Sequence, residues 1–159
     1  PQIDAERLYI VGWSHGGWAA MDAVLLGRLA NRLPLLSEPL DETLKGVRAV
    51  VAFYPYCGIG SMVRRYDWQL NISGLIILAT FDQNIEAEGC RNVIQSQQPD
   101  TNLRLLELPV DHWFDNPDGH DVVPHRYDEP ARNRAATAIL RLFAQKQKLP
   151  LLHSEAPFG

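Results

Sequence analysis

The sequence predicts an α/β fold in which a parallel sheet carries helices on both faces. Short apolar runs rich in β-branched residues alternate along the chain with segments whose apolar residues recur every three or four positions. This alternation of strand and helix is typical of a parallel sheet with right-handed crossovers. The length of 159 residues fits one domain, and the hydrophobic fraction of 46% supplies its core.

The first third of the chain predicts one strand, one helix and a polar connection. The strand is Leu8–Val11, a short apolar run that a glycine ends. From Gly17 the period changes, and four apolar residues fall on one helical face: Trp18, Met21, Leu25 and Leu29. Pro34 ends this helix, and residues 31–46 are expected to form the connection.

The rest of the chain predicts three more strands and two more helices. The strands are expected at Val47–Phe53, Leu75–Ala79 and Leu103–Leu108, where apolar residues dominate. A weaker helix is expected over Glu86–Gln98. After a long polar loop, an amphipathic helix starts at Pro130, since proline favours the first helical position.

The composition argues against two classes of partner. Lys and Arg number 15 against 19 Asp and Glu, which gives a formal charge of −4. No basic cluster exceeds Arg64-Arg65, so a nucleic acid is not expected, because binding to phosphates needs a basic face. The longest apolar stretches are far shorter than the roughly 18 residues that suggest a membrane span, so no membrane partner is expected.

The sequence Gly-Trp-Ser-His-Gly-Gly, which runs from Gly12 to Gly17, stands between the first strand and the first helix. A serine at such a turn projects from the apex, and glycines two residues to either side avoid clashes between the neighbouring segments. The amide of His15 would face the same space at the helix N-terminus, where negative charge is favoured. A hydroxyl is a weak nucleophile until a base takes its proton, so Ser14 requires a histidine and an acid.

Two later residues supply the acid and the histidine that this serine requires. Asp82 follows the third predicted strand, and His112 follows the fourth. The carboxyl ends of parallel strands meet at one edge of the sheet, where ligands bind in such folds. We therefore expect Ser14, Asp82 and His112 to converge at that edge.

These segments resemble the α/β-hydrolases, and most of all the dienelactone hydrolase family. The matching segments are Gly12–Trp18, Tyr54–Cys57, Asp82 with Cys90 downstream, and His112–Pro117. The likeness implies the C-terminal half of an α/β-hydrolase domain over residues 1–146 and a C-terminal tail over 147–159. It also implies that Ser14 is the nucleophile, that Asp82 orients the base, and that His112 acts as base and then as acid. The namesake enzymes use a cysteine nucleophile, so Ser14 resembles the esterase branch.

The resemblance further implies that part of the hydrolase fold lies outside these residues. A full member has several strands before the nucleophile strand, and a loop among them supplies the second oxyanion amide. The strand Leu8–Val11 would also be left as a bare edge, which soluble proteins avoid. We therefore expect a missing N-terminal half or a completing chain as a partner.

The expected activity is that of a serine hydrolase, which cleaves a small-molecule ester or lactone through an acyl-enzyme and needs no cofactor. The amide of His15 is the expected oxyanion donor. Three aromatic residues near the motifs are candidates for the substrate pocket: Trp13, Tyr54 and Trp113. Two alternatives stay open, a non-catalytic half-fold that serves in assembly or binding, and a peptidase similar to the prolyl oligopeptidases.

Metal binding and disulfide formation are two further questions that the sequence raises. The loop 111–128 holds His112, His120 and His125 together with five aspartates, but it lacks the spacing of a metal site, so no metal is expected. Cys57 and Cys90 follow adjacent predicted strands. They are expected either to form a disulfide above the active edge or to remain two buried thiols.

Overall fold

The computed structural model describes residues 3–29, 44–98, 100–118 and 126–147. Strands and helices alternate along this part of the chain, as the sequence predicts. The elements are β1 (Leu8–Trp13), α1 (His15–Leu29), β2 (Val47–Phe53), α2 (Met62–Arg65), β3 (Ser73–Ala79), α3 (Ala87–Ser96), β4 (Leu103–Leu108) and α4 (Glu129–Gln147). None of the described helices is long and apolar enough to cross a membrane.

The predicted bounds hold for β2 and β4, while β1 and β3 are each two residues longer than predicted. The strand β1 continues past the glycine because Gly12 and Trp13 still pair with Ala52 and Phe53 of β2. The short helix α2 was not predicted, since one helical turn is too short to show a period. Residues 30–43 and 148–159 lie outside the described residues, so the predicted connection and tail are described only at their ends.

The four strands form one parallel sheet in the order β1-β2-β3-β4. Neighbours in the sheet are therefore also neighbours in sequence, and every strand points the same way. All four carboxyl ends lie along one edge, and the segments that follow them carry the candidate catalytic residues.

Each face of the sheet has its own apolar core. Alternate residues of a strand point to opposite faces, so Val50 packs with Met21 of α1 on one face. Its neighbour Val51 packs with Ala135 and Leu142 of α4 on the other face. The sheet therefore carries helices on both faces, and the predicted α/β class is confirmed.

The burial of the strands differs between the centre of the sheet and its edge. Every residue of β3 is buried, and so is every residue of β2 except Arg48. Residues 8–11 of β1 are only half-buried. In the described part of the chain β1 is thus an edge strand.

A disulfide joins Cys57, which follows β2, to Cys90 in α3. The two Cα atoms are 4.8 Å apart, which lies within the usual range for a disulfide. Of the two alternatives that the sequence leaves open, the structure contains the bridge and not the pair of free thiols.

Candidate active site

Ser14 occupies the turn between β1 and α1 in a backbone conformation that favours glycine. Its φ is 51°, and a non-glycine residue held there costs about 1–3 kcal/mol. Two hydrogen bonds fix the turn: the Ser14 N–H donates to the Phe53 carbonyl at 2.9 Å, and the Ser14 carbonyl accepts from the Trp18 N–H at 3.0 Å. The second bond is the first of α1, so Ser14 stands at the helix N-terminus with its neighbour His15 as the first helical residue.

Close approach between β1 and α1 requires glycine at two positions near Ser14. A Cβ at Gly12 would collide with the backbone of Gly16. A Cβ at Gly17 would lie 3.1 Å from the Gly12 carbonyl oxygen and 3.2 Å from that of Phe53. A Cβ at Gly16 itself would meet nothing within 4 Å. The expectation that glycines on both sides of Ser14 relieve clashes is therefore right for Gly12 and wrong for Gly16, because the second crowded glycine is Gly17.

Asp82 and His112 form a buried pair at the carboxyl edge of the sheet. The His112 Nδ1 lies 2.6 Å from the Asp82 Oδ2, and the two side chains are only 5% and 1% exposed. Because an ionised carboxylate is only an acceptor, this contact places the proton on Nδ1 and makes Nε2 the basic nitrogen of the imidazole.

The loop after β3 holds the Asp82 carboxylate from its other side. Its Oδ1 accepts hydrogen bonds from the backbone N–H groups of Asn84 at 2.8 Å and Ile85 at 3.0 Å. The loops after β3 and β4 are also joined to each other, since the Phe81 N–H donates to the Val110 carbonyl at 3.0 Å. Asp82 is thus fixed by its own loop and points its second oxygen at the histidine.

Asp115, three residues after His112, connects that loop to two other strand ends. Its Oδ2 accepts a hydrogen bond from the Trp13 Nε1 at 2.5 Å, and its Oδ1 accepts one from the Tyr54 hydroxyl at 2.8 Å. Trp13 is the last residue of β1, and Tyr54 directly follows β2. The ends of β1, β2 and β4 therefore meet at one carboxylate.

Tyr54 packs directly against the histidine. Its ring centroid lies 4.3 Å from that of His112, and its own φ is 34°. Burial, and after it the Asp115 carboxylate, raises the pKa of the Tyr54 hydroxyl above its ordinary value. The hydroxyl therefore stays protonated and keeps donating its hydrogen bond in alkaline solution.

The three aromatic residues proposed for the substrate pocket line one cavity of about 310 Å³. Its lining residues are Trp13, Tyr54, Trp113, Asp115 and Asn116. The Trp13 side chain is partly exposed and stacks on Phe53, with ring centroids 5.3 Å apart. The cavity lies beside the Asp82–His112 pair, because Tyr54 lines the cavity and its ring packs against that of His112.

The sequence therefore pointed to residues that the fold collects at one edge, but it gave no role to Asp115. This aspartate is part of the segment that resembles the hydrolases, yet in sequence it is an ordinary loop residue. Its partners lie 102 and 61 positions away, and no local pattern indicates them. Among the described residues no group of three or more His, Cys, Asp or Glu side chains is arranged to hold a metal ion. His120 and His125 lie outside that part of the chain.

Comparisons with known proteins identify this fold. The chain is similar to the crystal structure of a dienelactone hydrolase-like promiscuous phosphotriesterase from metagenomic libraries, with a TM-score of 0.62 and 19% identity over 91% of this chain and 54% of that one. It is also similar to a protein from Klebsiella pneumoniae subsp. pneumoniae MGH 78578 assigned as a dienelactone hydrolase, with a TM-score of 0.57 and 22% identity over 89% of this chain and 53% of that one. No protein-family model and no curated protein matches the sequence. The chain thus has the α/β-hydrolase fold of dienelactone hydrolase-like proteins and spans about half the length of the structures it matches.

Proposed function

We propose that this chain carries the catalytic residues of a serine hydrolase that cleaves a carboxylic ester or a lactone. In this proposal Ser14 is the nucleophile, His112 is the general base, and Asp82 orients the base. The observation that carries the proposal is the buried contact of 2.6 Å between the His112 Nδ1 and the Asp82 Oδ2. A surface histidine in a polar loop has no need of such a partner, whereas a catalytic base does.

Contacts around Ser14 support the proposal that its side chain lies close to His112. The Asp115 carboxylate, on the His112 loop, accepts a hydrogen bond from Trp13, the residue before Ser14. The Ser14 turn and the His112 loop are thereby held together, although β1 and β4 are the two outer strands of the four that the structure describes. The strained backbone at Ser14 supports the proposal as well, since non-glycine residues with positive φ cluster at functional sites.

The proposed reaction has two stages. In the first, the His112 Nε2 takes the proton from Ser14, whose oxygen attacks the carbonyl carbon and forms a tetrahedral intermediate. The intermediate collapses to an acyl-enzyme, and His112 returns the proton to the departing alkoxide, which in a lactone remains tethered to the acyl group. In the second, His112 takes a proton from water, the hydroxide attacks the acyl-enzyme, and the carboxylic acid leaves Ser14 with its proton restored.

The N-terminus of α1 supplies one donor for the negative oxygen of this intermediate. The N–H of His15 is the first of the helix, and the first N–H groups of a helix lack partners within it. We propose that a second donor comes from the part of the fold that completes the sheet beside β1. One such donor is worth about 2.7–4 kcal/mol of barrier, so the proposed activity depends on this completing part.

The cavity beside His112 supports an acyl or alcohol group with apolar surface. Two tryptophans and Tyr54 line it together with the polar residues Asp115 and Asn116, and aromatic rings bury much apolar area at a small cost in side-chain entropy. A small aromatic or alkyl ester fits this lining better than a charged polymer does. Phosphotriesters form a second class worth testing, since a similar structure belongs to a dienelactone hydrolase-like promiscuous phosphotriesterase.

The test is covalent labelling of the protein made from its complete reading frame. A fluorophosphonate probe should attach to Ser14, and peptide mass spectrometry should find the adduct there. The variant Ser14→Ala should lose the label, while Ser96→Ala, which alters an exposed serine at the C-terminal end of α3, should keep it. If the folded protein gives no adduct on Ser14, the enzymatic proposal is wrong and the non-catalytic alternative stands.

A panel of nitrophenyl esters, lactones, phosphotriesters and peptide anilides then assigns the substrate class. We expect turnover of the esters or lactones that is abolished by Ser14→Ala. Faster cleavage of the peptide anilides would favour the peptidase alternative instead, and preferred cleavage of the phosphotriesters would contradict the ester assignment.

A further inference from the structure

We propose that Asp115 is a positioning residue that holds the His112 loop against the Ser14 turn. This inference rests on the proposed function, because the position it controls is that of the base relative to the nucleophile. Asp115 does not contact the reacting atoms in this proposal. It acts through Trp13, which directly precedes Ser14 in the sequence, and through Tyr54, whose ring packs against His112.

The contacts of the Asp115 carboxylate indicate that it holds two particular donors in place by hydrogen bonds and does not merely add a negative charge. Its two oxygens accept from two different strand ends, at 2.5 Å from the Trp13 Nε1 and at 2.8 Å from the Tyr54 hydroxyl. Both donors are neutral, and in the described part of the chain no Lys or Arg forms an ion pair with Asp115. The carboxylate therefore acts as a two-sided acceptor, with one oxygen bonded to each donor.

The two bonds reach the two ends of the proposed proton transfer. On one side, Trp13 immediately precedes Ser14, so the position of its indole is tied to that of the turn. On the other side, the Tyr54 ring lies against the His112 imidazole, with centroids 4.3 Å apart. Because Asp115 is itself on the His112 loop, it closes a ring of contacts through β1, β2 and the loop after β4.

The backbone around this ring of contacts is strained at three places. Ser14, Tyr54 and Trp113 have φ values of 51°, 34° and 60°. Such conformations persist only where the surroundings hold them, and the side-chain bonds of Asp115 are among the contacts that do so. Without them we expect the loop to relax and the base to move away from the hydroxyl.

The change Asp115→Asn removes one acceptor and little volume. An amide keeps one oxygen for one of the two donors, but its NH₂ group faces the other donor and cannot accept. The matched control is Asp118→Asn in the same loop, where the aspartate is exposed. Both variants are made in the complete reading frame, so that the sheet is tested in its natural context.

The first measurement separates positioning from folding. The amplitude of fluorophosphonate labelling counts the active molecules, and its rate constant reports how well each one is arranged. We expect Asp115→Asn to keep the amplitude and to lower the rate constant and kcat about 10- to 100-fold, since a displacement of 1 Å costs about 100-fold. Asp118→Asn should leave both unchanged. A lower amplitude with an unchanged rate constant, or no change at all, would overturn the proposal.

The second measurement does not depend on activity. The proton shared by His112 and Asp82 is expected to give a low-field proton NMR resonance, which Asp82→Asn should abolish. Asp115→Asn should shift or broaden this resonance, and Asp118→Asn should not. An unchanged resonance in Asp115→Asn contradicts the positioning role even if the wild type is not labelled, whereas a shifted resonance in an unlabelled protein supports positioning and removes only the proposed function.

Discussion

At the scale of single residues, the candidate site depends on polar side chains that are buried with partners. Asp82 illustrates this, since its carboxylate accepts from the imidazole on one oxygen and from two backbone N–H groups on the other. A buried carboxylate without such partners would be unfavourable by several kcal/mol. The loop after β3 therefore determines where the acid points.

Tyr54 gives a pH dependence whose direction follows from its raised pKa. Burial and the Asp115 carboxylate disfavour the phenolate in the folded protein, whereas an unfolded tyrosine ionises near pH 10. A group with a raised folded pKa contributes stability below its unfolded pKa and loses it as the pH rises further. We expect the free energy of unfolding to fall above about pH 10 for this reason.

The measurement is urea unfolding of the wild type and of Tyr54→Phe from neutral to strongly alkaline pH. Phenylalanine keeps the ring on His112 and removes the titrating group, so the variant should lose less stability above about pH 10 than the wild type does. Tyr66→Phe, at a more exposed tyrosine, is the control and should follow the wild type. Parallel curves for the wild type and Tyr54→Phe would contradict the prediction.

The residue scale also shows what sequence alone could predict of the site. Asp82 and His112 were predictable because each follows an apolar strand, and the carboxyl ends of parallel strands meet at one edge. That Trp13, Tyr54 and Trp113 line one cavity was predictable because they stand next to those motifs. The role of Asp115 was not, because both of its donors come from other strands and a loop aspartate has no distinguishing local pattern.

At the scale of elements, β1 and α1 pack closely enough to determine the sequence of the turn between them. Gly12 has no room for a side chain, because a Cβ would collide with the carbonyl of Gly16 in the first turn of α1. The collision is with backbone, which cannot rotate away as a side chain could. The turn therefore depends on glycine at this position.

We predict different effects on stability for alanine at Gly12 and at Gly16. Gly12→Ala should lower the free energy of unfolding by about 1–3 kcal/mol or more, since overpacking of this kind displaces backbone. Gly16→Ala should be neutral or stabilising by up to about 1 kcal/mol, because its Cβ meets open space and alanine favours a helix. Thermal unfolding of the two variants gives the comparison, and equal losses at both positions would contradict it.

The residues that bound each strand and helix explain which elements could be predicted well from the sequence. The apolar runs of β2 and β4 are bounded by polar or turn residues, so their ends were visible. The apolar period in the sequence starts only at Gly17, although the helix begins at His15. The first three residues of α1 carry no apolar side chain, and Gly17 among them packs against the carbonyls of Gly12 and Phe53. A tertiary constraint of this kind leaves no apolar period at the start of the helix.

At the scale of the whole molecule, the disulfide links the segment after β2 to the helix after β3. The loop it closes spans 33 positions. Closing a loop of that length lowers the entropy of the unfolded chain, which stabilises the folded state by about 3–4 kcal/mol. We expect the double variant Cys57→Ser/Cys90→Ser to lower the free energy of unfolding by that amount in urea. Two titratable thiols in the denatured, unreduced wild type would show that the bridge is absent.

The edge strand β1 has backbone N–H groups on the side that faces away from β2, and these groups bear on how the sheet is completed. The N–H groups of Leu8 and Ser14 donate toward β2, to the carbonyls of Gly46 and Phe53. Because successive N–H groups of a strand point to opposite sides, those of Tyr9 and Val11 point away from β2. In the described part of the chain no strand lies on that side, and exposed edges of this kind pair readily with other chains.

We expect hydrogen exchange to reveal the covering strand. In the protein made from the complete reading frame, the amides of Tyr9 and Val11 should exchange slowly, at rates similar to those of β3. We propose that the covering strand lies outside these 159 residues, so in this chain alone the two amides should exchange fast or become protected only as the protein concentration rises. Fast exchange of both amides in the complete protein would show that nothing covers β1, and the part of the fold proposed to supply the second oxyanion donor would then be absent from that side of the sheet.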